Sequence, residues 1–131
     1  MSIELLSLYI FCTTILFTLF TQAMVLVANS NFAYVSGNRD LPLDNPPAIL
    51  GRIERTIRNS VEAAVVFAPL VFIAAHSGIS NVLTQWSAII FAGARVLYAI
   101  SYVLGVTGAR TLIWNIGVTA IGAFGVGILM G

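Results

Sequence analysis

The sequence contains no lysine, a single cysteine and a single histidine, and only 8% of its 131 residues carry a charge. Cys12, alone inside an apolar stretch, excludes an internal disulfide and a cysteine metal cluster. His76 has no second histidine, cysteine or acid at metal-ligand spacing, so no metal is expected. A glycine-rich phosphate loop, a nucleophile elbow and a haem-binding pair are also missing, which leaves no sign of a nucleotide or haem cofactor. A formal net charge of +1 without any basic run indicates neither a nucleic-acid partner nor a peripheral electrostatic anchor.

What the chain does contain is hydrophobic residues, at 59% of the total, with a mean hydropathy of +0.98. That composition lies outside the range of soluble domains and specifies an integral membrane protein in contact with membrane lipids. Apolar runs long enough to cross about 30 Å of hydrocarbon occur at about 3–29, 51–76, 81–104 and 110–130. The leader Met-Ser-Ile-Glu has no positive charge and no small-residue cleavage site follows it, so the first run is expected to stay as a transmembrane helix. Residues 31–50 contain Gly37-Asn38, Asp40, Pro42 and Asn45-Pro46-Pro47, which break helix and predict a polar surface loop. Short turns join the remaining runs and make them antiparallel neighbours. We therefore expect an all-α membrane protein, a four-transmembrane-helix antiparallel bundle forming one domain over residues 1–131.

Every cation is an arginine, the planar fork that binds carboxylates bidentately and tolerates burial. Arg39, Arg52, Arg55, Arg58 and Arg110 fall at the ends facing the first and third connections. Positive-inside bias then places those connections in the cytoplasm and both termini outside, or in the lumen of a eukaryotic endomembrane. Gly117, Gly122, Gly125, Gly127 and Gly131 in the last run predict close backbone packing along it.

The second run carries Arg52, Arg55, Arg58, Asn59 and Glu62, all within an arc of about 120° on a helix. Each charge in the hydrocarbon costs roughly 2.5 to 3.5 kcal/mol, so the group must be paired, hydrated or shielded. Glu62 lies about 18 Å along that helix, near the bilayer centre, and Arg95 on the third run reaches a similar depth from the other direction. An Arg95–Glu62 ion pair is expected. Tyr98 and Tyr102 share an arc of about 60° with Arg95 and line up toward the polar mouth. Arg52, Arg55 and Arg58 outnumber the nearby acids Glu54 and Glu62, so a lipid phosphate or a small polycarboxylate should sit among them. Arg110, opening the last run with Thr111 and Trp114 after it, is either an interfacial anchor or a group that stabilises a thiolate.

Arg55-Thr-Ile-Arg58-Asn59-Ser-Val-Glu62, then Arg95-Val-Leu-Tyr98-Ala-Ile-Ser-Tyr102, then Arg110-Thr111, together resemble the MAPEG superfamily. These are the membrane-associated proteins of eicosanoid and glutathione metabolism, and the resemblance covers nearly the whole chain. It implies a homotrimer that binds glutathione between subunits near the cytoplasmic side and takes a lipophilic small molecule from the bilayer. By that resemblance Arg55, Asn59, Glu62, Tyr98 and Tyr102 hold glutathione, Arg52 and Arg58 complete the positive mouth, and Arg110 is catalytic, stabilising the glutathione thiolate. Arg95 matches the motif's arginine on the third helix.

The chain also departs from that pattern. Gln22, Asn29, Ser30 and Asn31 stand where family enzymes have an arginine near the end of the first helix, and Pro69 is displaced by four residues from the usual proline position, which holds Val65. Those departures mark a divergent member, expected in a bacterial inner membrane. Two functions follow: a glutathione-dependent transferase or peroxidase acting on lipophilic electrophiles, or a non-enzymatic oligomeric scaffold or accessory subunit that keeps the fold. A small multidrug-type transporter would want an acid midway along the first helix, where there is none.

Overall fold

The computed structural model describes residues 1–131 as five helices: α1 (Ile3–Ala28), α2 (Phe32–Ser36), α3 (Ala48–His76), α4 (Val82–Leu104) and α5 (Gly108–Leu129). All but α2 are long and apolar enough to cross a membrane, as the sequence pattern anticipates. Side-chain caps open two of them. Ser2 accepts a hydrogen bond from the Leu5 amide at 3.3 Å to open α1, and Asn81 forms a capping box with Thr84 to open α4.

The segment expected to be loop throughout contains the single turn of α2, capped by Asn31 through the Tyr34 amide at 2.8 Å. Five residues are too few to leave a readable periodicity, and the cap supplies the nucleus. Pro46 and Pro47 end the loop without delaying the next helix: Pro47 is the N-cap of α3, where its fixed φ is compatible with helix entry. Helix α3 then runs through Pro69. Pro69 and Val65, the residue whose carbonyl it leaves without an intrahelical partner, both lie on the exposed side of α3, so the lost hydrogen bond falls outside the packed interface.

Helix α4 is the hub, packing on α1, α3 and α5, while α1 and α5 lie on opposite flanks of the α3/α4 pair without touching each other. Helix α3 buries Ile53, Thr56, Ser60, Ala63, Phe67, Val71 and Ala74, a stripe at three- and four-residue spacing that faces its neighbours. At mid-height each long helix contributes one fully buried phenylalanine: Phe11, Phe67, Phe91 and Phe124. Phe67 is the centre of the group, with ring centroids 4.0 Å from Phe91, 5.5 Å from Phe124 and 6.4 Å from Phe11. Such offset and edge-on contacts supply dispersion energy that does not depend on water, which suits a bundle whose outer surface meets lipid.

Close approach of α5 to α4 occurs at Gly117 and Gly127. A methyl group on Gly127 would meet Thr84 Cγ2 at 2.8 Å and the Thr84 amide nitrogen at 3.2 Å, whereas Gly122 and Gly125 face open space. Only two of the expected glycine contacts are therefore made within the chain. The Asn81 amide donates to the Gly127 carbonyl at 2.8 Å and fixes the same junction.

Candidate functional site

The charged face of α3 meets the tyrosine face of α4 as an antiparallel ladder. Arg55 Nε donates to Tyr102 Oη at 2.9 Å, and Asn59 Nδ2 donates to Tyr98 Oη at 2.8 Å. Each step of three or four residues along α3 is matched by an equal step back along α4, which is what two antiparallel helices of the same pitch must give. The rung before these brings Arg52 to Gly105, and the rung after brings Glu62 to the level of Arg95.

At the Arg52 rung, Gly105 terminates α4 with φ +80, and Arg52 Nη1 occupies the space that a side chain there would need. Glycine is required twice over, for the left-handed turn and for the guanidinium. The turn then carries the chain directly into α5, which sets Arg110 4.7 Å above the centroid of the Tyr102 ring. Arg55 lies 5.8 Å from the same centroid. Guanidinium groups from α3 and α5 thus converge on one aromatic ring of α4 at cation–π distance.

The Glu62–Arg95 rung is not closed. Arg95 is only 3% exposed, its Nε and Nη1 are buried without a hydrogen-bond partner, and it packs over the rings of Phe91 and Tyr98 at 5.4 and 5.6 Å. Glu62 is exposed on the outer face of α3. The expected Arg95–Glu62 ion pair is therefore corrected: the two residues do share a depth, but the rotation of α3 turns the carboxylate outward while Arg95 stays folded beside Gly117, whose added methyl would lie 3.5 Å from its Nε. Both residues line a cavity of about 230 Å³ together with Asn59 and Trp114. Trp114, which reads in the sequence as an interfacial anchor, is a wall of that cavity.

Arg58 is exposed and stands outside the ladder. Except for Glu62, the remaining expected residues are brought together, and their unused valences have a common sign. Each tyrosine hydroxyl accepts its ladder bond, so its own proton remains free to donate. Arg95 keeps two buried N–H groups unmet, and Arg52 Nε is buried without a partner. A helix face rich in unspent donors and arginines calls for an acceptor-rich anion.

The chain matches the MAPEG family model over residues 7–130, from the second turn of α1 to the end of α5. Neither a curated protein nor a solved structure matches it. The four long apolar helices and the family match agree on a multi-pass integral membrane protein. On nearly its full length, this chain belongs to the MAPEG family.

Proposed function

We propose that the protein is a glutathione-dependent transferase or peroxidase acting on lipophilic electrophiles, working as a homotrimer with its polar connections in the cytoplasm of a bacterial inner membrane. The observation that carries this reading is the convergence of Arg55 and Arg110 on Tyr102 from separate helices. Glutathione has two carboxylates, an amine and a thiol, which suits a crevice of free hydroxyl protons and guanidinium N–H groups beside one carboxylate, Glu62. Arg55, Asn59, Tyr98 and Tyr102 would hold its acceptor groups, with Arg52 and Arg58 adding positive charge at the mouth. Arg95 serves the inner end of the same crevice.

Arg110 stabilises sulfur as the anion, so the thiol proton leaves to water and the sulfur lone pair is available to attack. In the transferase reaction a carbon–sulfur bond forms to an electrophile dissolved in the bilayer as the bond to its leaving group breaks and that group departs with the electron pair. At an activated double bond or an epoxide the displaced pair goes instead to carbon or oxygen, which takes a proton from water. Charge placed in advance beside the attacking atom is the catalytic device, and no protein side chain is covalently modified. The test is Arg110→Ala: turnover should fall by at least about 10²-fold, the scale of removing one preorganised donor, with a smaller effect on glutathione affinity. Unchanged turnover removes Arg110 from the mechanism.

The scaffold reading is favoured by one feature, the altered end of α1, where Gln22, Asn29, Ser30 and Asn31 occupy the region in which family enzymes carry an arginine. Calorimetry separates the two. Heat of binding at millimolar glutathione in lipid-like detergent supports the enzyme, and no heat supports the scaffold.

A further inference from the structure

At the end of the bundle away from the arginine ladder, Glu4 in the first turn of α1 is only 2% exposed. Its Oε1 accepts from Thr84 Oγ1 at 2.7 Å and from Ser80 Oγ at 2.9 Å. Its Oε2 is equally buried and has no partner. The first turns of α1 and α4, with their unpaired N–H groups, both adjoin this carboxylate and set partial positive charge beside it. An orphaned oxygen on a buried anion is costly unless something positive completes it.

No side chain does so. Five of the six arginines lie at the opposite end, and the sixth, Arg95, belongs to the ladder cavity. Neither His76, exposed at the end of α3, nor the amino group of Met1 reaches the free oxygen. Glu4 instead lines a cavity of about 220 Å³ with Ser2, Ser80, Ala74, Ala75 and Gly78. Ala74 and Ala75 belong to the last turn of α3, so that helix presents its negative end to the same space.

The donors are all oxygen: one carboxylate, two serine hydroxyls and the Ala74 and Ala75 carbonyls, which already accept from the Ile79 and Gly78 amides and have only a second lone pair to offer. Zinc and copper sites are built from nitrogen or sulfur, and calcium sites from several carboxylates. A single negative charge among neutral oxygens fits a monovalent ion; Oε2 is closed to water, so an ion that meets it sheds its hydration on that side and keeps water only toward the open part of the cavity.

We propose that the Glu4 cavity binds a small monovalent cation, with Glu4 as its charged ligand and the Ser2 and Ser80 hydroxyls as neutral ones. Sodium is the probe. The full chain in lipid-like detergent is melted across a sodium chloride titration, with N-methylglucamine chloride holding ionic strength constant. The melting temperature should rise by a few degrees and saturate, because an ion that binds only the folded state stabilises it by mass action. Glu4→Gln should abolish that response, and Ser80→Ala, which spares the Thr84 bond, should raise the sodium midpoint several-fold. Should Glu4→Gln fail to fold, the Ser80→Ala midpoint decides. Identical melting in the two salts, a sodium response that survives Glu4→Gln, or a midpoint unmoved by Ser80→Ala would overturn the proposal.

Discussion

Replacing Tyr102 by Phe removes a single oxygen from the ladder and leaves the ring in place. That oxygen accepts from Arg55 Nε at 2.9 Å, so the substitution frees the guanidinium from its tether and deletes the hydroxyl proton offered to a ligand. A hydrogen bond to a charged group contributes about 1.5 to 3 kcal/mol. Arg55 is an exposed residue whose other nitrogens remain hydrated, so the low end applies, about 1.5 kcal/mol, or roughly tenfold in glutathione affinity. Turnover at saturating glutathione should change far less, because the ring 4.7 Å beneath Arg110 is retained. Tyr102→Leu takes the ring as well. Loss of a cation–π contact worth about 0.5 to 1 kcal/mol should lower turnover a further roughly two- to fivefold. Calorimetric Kd and steady-state kinetics with a chromogenic lipophilic electrophile read both effects on the same preparations. A Phe variant with unaltered Kd but collapsed turnover would refute the assignment of this hydroxyl to binding.

Other predictions concern the framework. Phe67→Ala empties the centre of the aromatic group and should cost about 3 to 5 kcal/mol, visible as a large drop in thermal stability in detergent; a loss under about 1 kcal/mol would mean the cluster does not hold the bundle together. Gly105→Val forces a β-branched residue into a left-handed turn already crowded by Arg52 and should destabilise by about 2 kcal/mol or more, with Arg52→Ala in the same chain recovering the steric share but not the backbone strain. Full recovery in that double variant would show that φ at Gly105 is not constrained. Gly127→Leu should separate α4 from α5 by collision with Thr84, read as lost thermal stability, while Gly122→Leu, facing open space, should leave the fold of the chain intact.

How much of this was legible depended on the range of the interaction. The long helices were plain because a run of about 20 consecutive apolar residues matches the thickness of the hydrocarbon and exceeds what a soluble core helix needs. Arg55, Asn59, Tyr98 and Tyr102 were readable as two helical faces, and equal pitch brings two such faces into register wherever they pack. Arg95 and Glu62 show where that reasoning runs out. Periodicity gives depth along an axis, but which way α3 is rolled follows from the packing of Ile53, Thr56, Ser60 and Phe67, and that roll leaves Glu62 outside. Arg95 is tolerated beside α5 because Gly117 leaves room for it, a relation between residues on different helices that no local pattern encodes. Glu4 was similarly silent: it is an ordinary acid in a first turn until the fold brings Ser80 and Thr84 to it.

The most direct measurement is a structure of the full chain in lipid nanodiscs with glutathione. The account predicts tripeptide density bounded by Arg55, Tyr98 and Arg110, with Asn59 still bonded to Tyr98. Those arginines turned outward onto phospholipid headgroups, with no shared crevice and no ligand between them, would contradict it.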